Sequence, residues 1–204
     1  MKKVIIYIHG KGGSYLEAES YRANCVGFDI IGVDYEIDFP WIVEEKIKAA
    51  YNAAKKEYDA VYVIANSIGA YFTMHSLQNC KLERALFISP ILDMEKLILT
   101  MMTWANVTEQ ELCERGEIST SFGEDLSWKY LCFVREHPIN WNIPTHILYA
   151  GKDNLTPREI VDEFVNTHDA KLTVMEDGEH WFHTEEQIRV LNEWMKKAIG
   201  KKKE

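Results

Sequence analysis

Between Ala60-Val61-Tyr62-Val63-Ile64, an apolar run with the character of a strand, and Ala70-Tyr71-Phe72-Thr73-Met74, which reads as a helix, the chain has only Ala65-Asn66-Ser67-Ile68-Gly69 in which to turn. A strand passes into a helix this abruptly only through a sharp, strained backbone turn. The residues two positions either side of the apex must then be tiny, because a side chain there would strike a neighbouring strand or helix. Ala65 and Gly69 meet that demand. Ser67, at the apex, is thereby held clear of the sheet with its hydroxyl accessible.

The rest of the chain alternates in the same way. Val4 to Ile8 is a continuous β-branched and aromatic run, as for a strand buried on both faces. A glycine-rich loop follows, then a helix over about Ser14 to Asn24, and a second strand over Phe28 to Asp34. Pro40 opens a helix, where its fixed φ and missing donor are tolerated. Val43, Ile47, Ala50, Tyr51, Ala54 and Tyr58 give that helix one apolar face. After the Ser67 turn come a strand over Ala85 to Ile88, a fifth over Thr145 to Ala150, a helix over Pro157 to Asn166 and a sixth strand over Lys171 to Met175. A last helix begins at Thr184, with Gln187 completing a capping-box pattern and Ile188, Leu191, Met195 and Ala198 as its buried stripe.

From Ile91 to Ile143 the alternation stops. Helix-like pieces occupy Met94 to Trp104, Glu109 to Arg115 and Leu126 to Glu136, with no good strand among them. The expectation is an α/β core of residues 1–90 and 144–204 interrupted by a helical insertion, 91–143. Strands alternating with helices imply a mostly parallel sheet covered on both faces. Ligands of such sheets sit beyond the carboxyl ends of the strands, and every chemically interesting residue below follows a strand.

Length and composition bound the possibilities. A chain of 204 residues suits one domain with a sizeable core. A net charge of −9 argues against a nucleic-acid partner, since that binding rests on Lys and Arg neutralising phosphate. The dense basic run, Lys196-Lys197 and Lys201-Lys202-Lys203, reads as a solvated helix end and tail. Lys2-Lys3 precedes an apolar run too short for a secretion signal, and no stretch is long enough to span a membrane. Cys25, Cys80, Cys113 and Cys132 are scattered without a CxxC pair, which suggests reduced thiols and a cytoplasmic protein. No histidine pair has zinc-site spacing, and neither metal nor cofactor is expected.

A serine hydroxyl needs a base to take its proton, and the base needs a partner to orient it. The base candidate is His180, in Asp177-Gly178-Glu179-His180-Trp181-Phe182 after the last strand, with His183 as its rival. The orienting acid is placed at Asp153, in Gly151-Lys152-Asp153-Asn154-Leu155-Thr156-Pro157 after the fifth strand, with Asp93 as the alternative. Donors for an oxyanion are expected from the backbone N–H of Ile68 and from the loop His9-Gly10-Lys11-Gly12-Gly13-Ser14, where Lys11 is preferred and Gly12 is second. His9 is expected to pin that loop.

Taken in order, the HG loop, the serine turn, the Gly-x-Asp turn and the Gly-x-His loop resemble the α/β-hydrolase superfamily over nearly the whole chain. The likeness is to the small bacterial serine hydrolases of esterase or lipase type. Ala65 stands where that family usually has glycine, and HGKGG replaces the HGGG of one esterase group. The chain opens at what would be the family's third strand, so six strands are expected. The resemblance implies a Ser67–His180–Asp153 triad, a cap formed by the insertion, and cleavage of a small-molecule carboxylic ester or thioester through an acyl-enzyme. A peptidase-like or C–C-bond hydrolase would use the same residues, and a non-catalytic binding module could keep the same fold. Apolar residues of the insertion, among them Leu97, Met101, Trp104, Trp128 and Phe133, are expected to supply some of an acyl pocket.

Overall fold

The computed structural model describes residues 1–200. Six strands, β1 (Lys3–Ile8), β2 (Asp29–Gly32), β3 (Ala60–Asn66), β4 (Arg84–Ile88), β7 (Thr145–Ala150) and β8 (Ala170–Met175), form one sheet in the order β2-β1-β3-β4-β7-β8. Every neighbouring pair is parallel. Parallel neighbours cannot be joined by hairpins. A 3₁₀ helix (Tyr15–Asn24) therefore links β1 to β2, and helices α1 (Pro40–Glu57), α2 (Ile68–Leu77) and α6 (Arg158–Thr167) make later crossovers.

Successive side chains of a strand point to opposite faces, so the two helix layers meet different residues. On one face Ile5, Tyr7, Ile64, Leu86 and Leu148 pack with Ala18 and Tyr21 of the 3₁₀ helix. The same cluster includes Leu191, Trp194 and Met195 of α7 (Glu185–Ile199). On the other, Val4, Ile6, Ile8, Val61 and Val63 are equally buried, and α1 and α2 pack against β1 and β3. Thr184 and Gln187 form the expected capping box of α7. Because all strands run one way, the loops after β1, β3, β4, β7 and β8 emerge along one edge of the sheet.

Three details differ from the sequence reading. The Tyr15–Asn24 segment is a 3₁₀ helix because its buried residues, Ala18, Tyr21 and Asn24, recur every third position, which matches three residues per turn. In α7 the buried stripe is Gln187, Leu191, Trp194, Met195 and Ala198, and Ile188 is 42% exposed. The insertion holds a hairpin, β5 (Glu117–Ser119) with β6 (Asp125–Ser127). Each strand has three residues, with Ile118 facing Leu126, which is too short to show alternation. Thr120 closes its loop, donating from Oγ1 to the Glu124 carbonyl at 2.6 Å.

The chain divides into two compact units, one of residues 1–92 with the chain from Asn140 onward, the other Asp93–Ile139. The second contains α3 (Met94–Ala105), α4 (Glu109–Arg115), the hairpin and α5 (Trp128–Glu136). Within it Arg135 on α5 reaches Glu95 of α3 at 2.7 Å and both oxygens of Glu109 on α4 at 2.8 and 2.9 Å. A two-pronged guanidinium clamp fixes geometry better than a single ion pair, although its partial exposure limits its energy. No helix among the described residues is long and apolar enough to cross a membrane.

Candidate active site

Ser67 sits between β3 and α2 with φ 49° and ψ −122°. That left-handed backbone is unfavourable for a residue with a Cβ. It persists because the turn is held on both sides: the Ser67 N–H donates to the Ile88 carbonyl at 3.0 Å, and the Ser67 carbonyl accepts from Ile91 at 3.0 Å. Gly69 supplies the clearance, since a Cβ there would lie 2.6 Å from the His9 carbonyl oxygen and 2.7 Å from that of Ile8. Gly69→Ala is therefore expected to push α2 away from the end of β1. The cost is about 2 kcal/mol, lowering the thermal midpoint by about 4–8 °C; a calorimetric scan matching the parent would refute it.

His180 bridges Ser67 and Asp153. Its Nε2 is 2.8 Å from Ser67 Oγ and its Nδ1 is 2.7 Å from Asp153 Oδ2. An ionised carboxylate only accepts hydrogen bonds, so Nδ1 carries the proton, and Nε2 of the neutral ring accepts from the serine hydroxyl. The Asp153 side chain is fully enclosed, whereas that of His180 keeps 20% exposure. Asp153 Oδ1 accepts the backbone N–H groups of Leu155 at 2.8 Å and Thr156 at 3.2 Å. This turn leaves Oδ2 aimed at the ring. The loops carrying acid and base are joined directly, Lys152 N–H donating to the Gly178 carbonyl at 2.9 Å. Gly151 permits the approach, since a Cβ there would fall 2.4 Å from the Glu176 carbonyl oxygen. Phe182, two residues beyond His180, is buried in the core beneath α7 and anchors the base loop.

The alternatives are occupied elsewhere. His183 places Nδ1 2.8 Å from the Trp181 carbonyl oxygen and stacks on the Trp181 ring. Asp93 caps α3 by accepting the Lys96 N–H at 2.9 Å. His9 is 3% exposed; its Nδ1 is 2.9 Å from the Gly10 carbonyl oxygen and its Nε2 is 3.1 Å from that of Tyr35. The Tyr35 hydroxyl in turn donates to the His9 carbonyl at 2.6 Å. Those contacts pin the loop after β1, which turns through Gly10–Gly13 with Gly13 N–H on the Gly10 carbonyl. The loop lies against the serine: a Cβ on Gly10 would be 3.1 Å from Ser67 Cβ. Lys11 is exposed on this turn, and Ile68 opens α2, where the first N–H groups of a helix have no partner within it.

A polar network unseen in the sequence lies beside the turn. Asn66 Nδ2 donates to the hydroxyls of Tyr7 at 2.9 Å and Tyr21 at 3.2 Å, and Tyr7 donates to the Glu17 carboxylate. Burial, with Tyr21 and Glu17 adding to it, pushes the Tyr7 phenol far above its usual range and keeps it a donor. The network ties the residue before Ser67 to the 3₁₀ helix that follows the glycine loop. Tyr7 lies in the apolar run of the first strand and Glu17 in the helix read after the glycine loop, so only their meeting reveals the link. Among the described residues no cluster of His, Cys, Asp and Glu could hold a metal ion.

Solved structures resemble this chain over nearly its full length. Est1E from Butyrivibrio proteoclasticus matches with a TM-score of 0.76 and 16% identity, over 97% of this chain and 87% of its own. Alpha/beta hydrolase domain-containing protein 10 from mouse matches with a TM-score of 0.73 and 15% identity, over 96% and 89%. The peroxisomal alpha-beta-hydrolase Lpx1 from Saccharomyces cerevisiae matches with a TM-score of 0.64 and 13% identity, over 98% and 76%. No protein-family model and no curated protein sequence matches. The likenesses assign this chain the α/β-hydrolase fold.

Proposed function

We propose that this α/β-hydrolase-fold chain is a serine hydrolase that cleaves a carboxylic ester or thioester through an acyl-enzyme on Ser67. The observation that carries the reading is the single imidazole within hydrogen-bond reach of both Ser67 Oγ and Asp153 Oδ2. Ser67 Oγ attacks the carbonyl carbon while His180 Nε2 accepts its proton. Asp153 holds the ring in the tautomer with Nδ1–H and stabilises the imidazolium. Backbone N–H groups of Ile68 and Lys11 receive the oxyanion. The imidazolium then protonates the departing alcohol or thiol. Water, deprotonated by the same nitrogen, releases the acid and restores Ser67.

Structural likeness supports the hydrolase class. Ferulic acid has been seen bound to Est1E, and another matching structure comes from a description of LipS and LipT as two metagenome-derived lipolytic enzymes. No cofactor takes part in the proposed reaction.

A fluorophosphonate probe tests the nucleophile. One equivalent is expected to add at Ser67, identified by peptide mass, with no labelling of Ser67→Ala. Folded protein that stays unlabelled would instead fit a binding module. A panel of p-nitrophenyl esters, acyl-CoAs and aminoacyl amides sorts the substrate class. Turnover confined to the amides would replace the esterase reading with a peptidase-like one.

A further inference from the structure

We infer that Thr156 is a positioning residue, whose hydroxyl clamps the Asp153 turn to the same peptide unit that holds the Ser67 backbone. The inference rests on the triad reading above. Thr156 is 3% exposed and is bonded on three sides. Its N–H donates to Asp153 Oδ1 at 3.2 Å, its Oγ1 donates to the Pro90 carbonyl at 2.8 Å, and its own carbonyl accepts from the Tyr149 hydroxyl at 2.8 Å.

The Pro90 carbonyl and the Ile91 N–H belong to one peptide group. The described bonds are all trans, so the two point in opposite directions from a rigid plane. The carbonyl side receives Thr156, and the N–H side donates to the Ser67 carbonyl at 3.0 Å. One planar strut thus runs between the nucleophile's backbone and the acid's turn. Its approach is fixed by the residues before it. Ser89 leaves β4 with φ 41°, donates from its N–H to the Leu148 carbonyl at 2.9 Å, and follows Ile88, whose carbonyl accepts from Ser67. Serine and acid stand on separate strands, and the imidazole spans the gap only while that gap is held. Thr156 supplies the side-chain link that holds it.

Thr156→Val keeps the side-chain shape and removes the donor; Thr156→Ser keeps the donor. With p-nitrophenyl butyrate the valine variant is expected to lose about 10- to 100-fold in kcat, as small misplacements of reacting groups do. KM should stay within about twofold, because the strut does not bind substrate. The rate of fluorophosphonate labelling should fall with kcat, and Thr156→Ser should restore both to within about threefold. Wild-type kcat in the valine variant, a loss shared equally by the serine variant, or a change confined to KM would each overturn the inference. Should the valine variant fail to fold, Thr156→Ala decides. It removes the same hydroxyl donor to the Pro90 carbonyl with a smaller side chain, and kcat is expected to fall about tenfold or more at constant KM; an unchanged kcat refutes the clamp. Ser67→Ala separates the two layers. Activity surviving in that variant sinks the triad itself, whereas its loss beside a fully active Thr156→Val sinks only the clamp.

Discussion

Ser67→Ala will lower kcat on an activated ester by about 10⁶-fold, to a residue of catalysis supplied by the surrounding donors. Alanine retains the Cβ that already sits in the left-handed turn, and the backbone bonds from Ser67 to Ile88 and Ile91 do not involve the hydroxyl. The thermal midpoint should therefore remain within about 2 °C, so that lost turnover reports lost chemistry and not lost fold. The hydroxyl is the nucleophile in the proposed reaction, and no other described group bridges to His180 Nε2 in its place. A variant that still turned over ester at a tenth of the parental rate would place the nucleophile elsewhere.

Asp153→Asn carries the second large effect, about 10⁴-fold in kcat. The geometry dictates how the amide must sit. Leu155 and Thr156 present two N–H donors to one side of the group, so the amide oxygen is retained there. The NH₂ then faces His180 Nδ1, where the carboxylate oxygen lay at 2.7 Å. A donor at that position turns Nδ1 into an acceptor and moves the ring proton to Nε2. The imidazole then presents N–H to Ser67 and cannot take its proton. The turn keeps its hydrogen bonds, and the fold should persist. Nitrogen-15 spectra of His180 are expected to report the switched tautomer alongside the kinetic loss. Near-parental kcat in Asp153→Asn would mean that the acid does not orient the base.

The sequence reading went furthest where local rules govern. The strained apex at Ser67 was legible because only small residues fit at 65 and 69. The glycine at 151 was visible as part of a turn, but its purpose was not: it admits Glu176 of a neighbouring loop, and no local pattern encodes that approach. The 3₁₀ helix escaped because a helix reading of Ser14 to Asn24 did not distinguish a repeat of three from one of 3.6. The hairpin in the insertion escaped because Ile118 and Leu126 are each the lone apolar residue of a three-residue strand. In sequence Thr156 is only one residue of the Asp153 turn, next to Pro157. Its hydroxyl meets a carbonyl 66 positions away, and such a contact leaves no trace in spacing.

By itself the sequence determined the alternation of strands and helices, and with it a parallel sheet whose loops of interest emerge at one edge. It also determined the types of group available there: a serine at a tight turn, an imidazole and a carboxylate, each just past a strand. Those follow from backbone sterics and apolar periodicity, which act over a few residues. Only the tertiary structure decided that His180 and not His183 faces the serine, that Asp153 and not Asp93 faces the ring, and that the Thr156 hydroxyl meets the Pro90 carbonyl. Hydrogen bonds choose partners by distance and direction in space, over separations of 27 and 113 residues for the imidazole, and those are set by how the whole sheet packs.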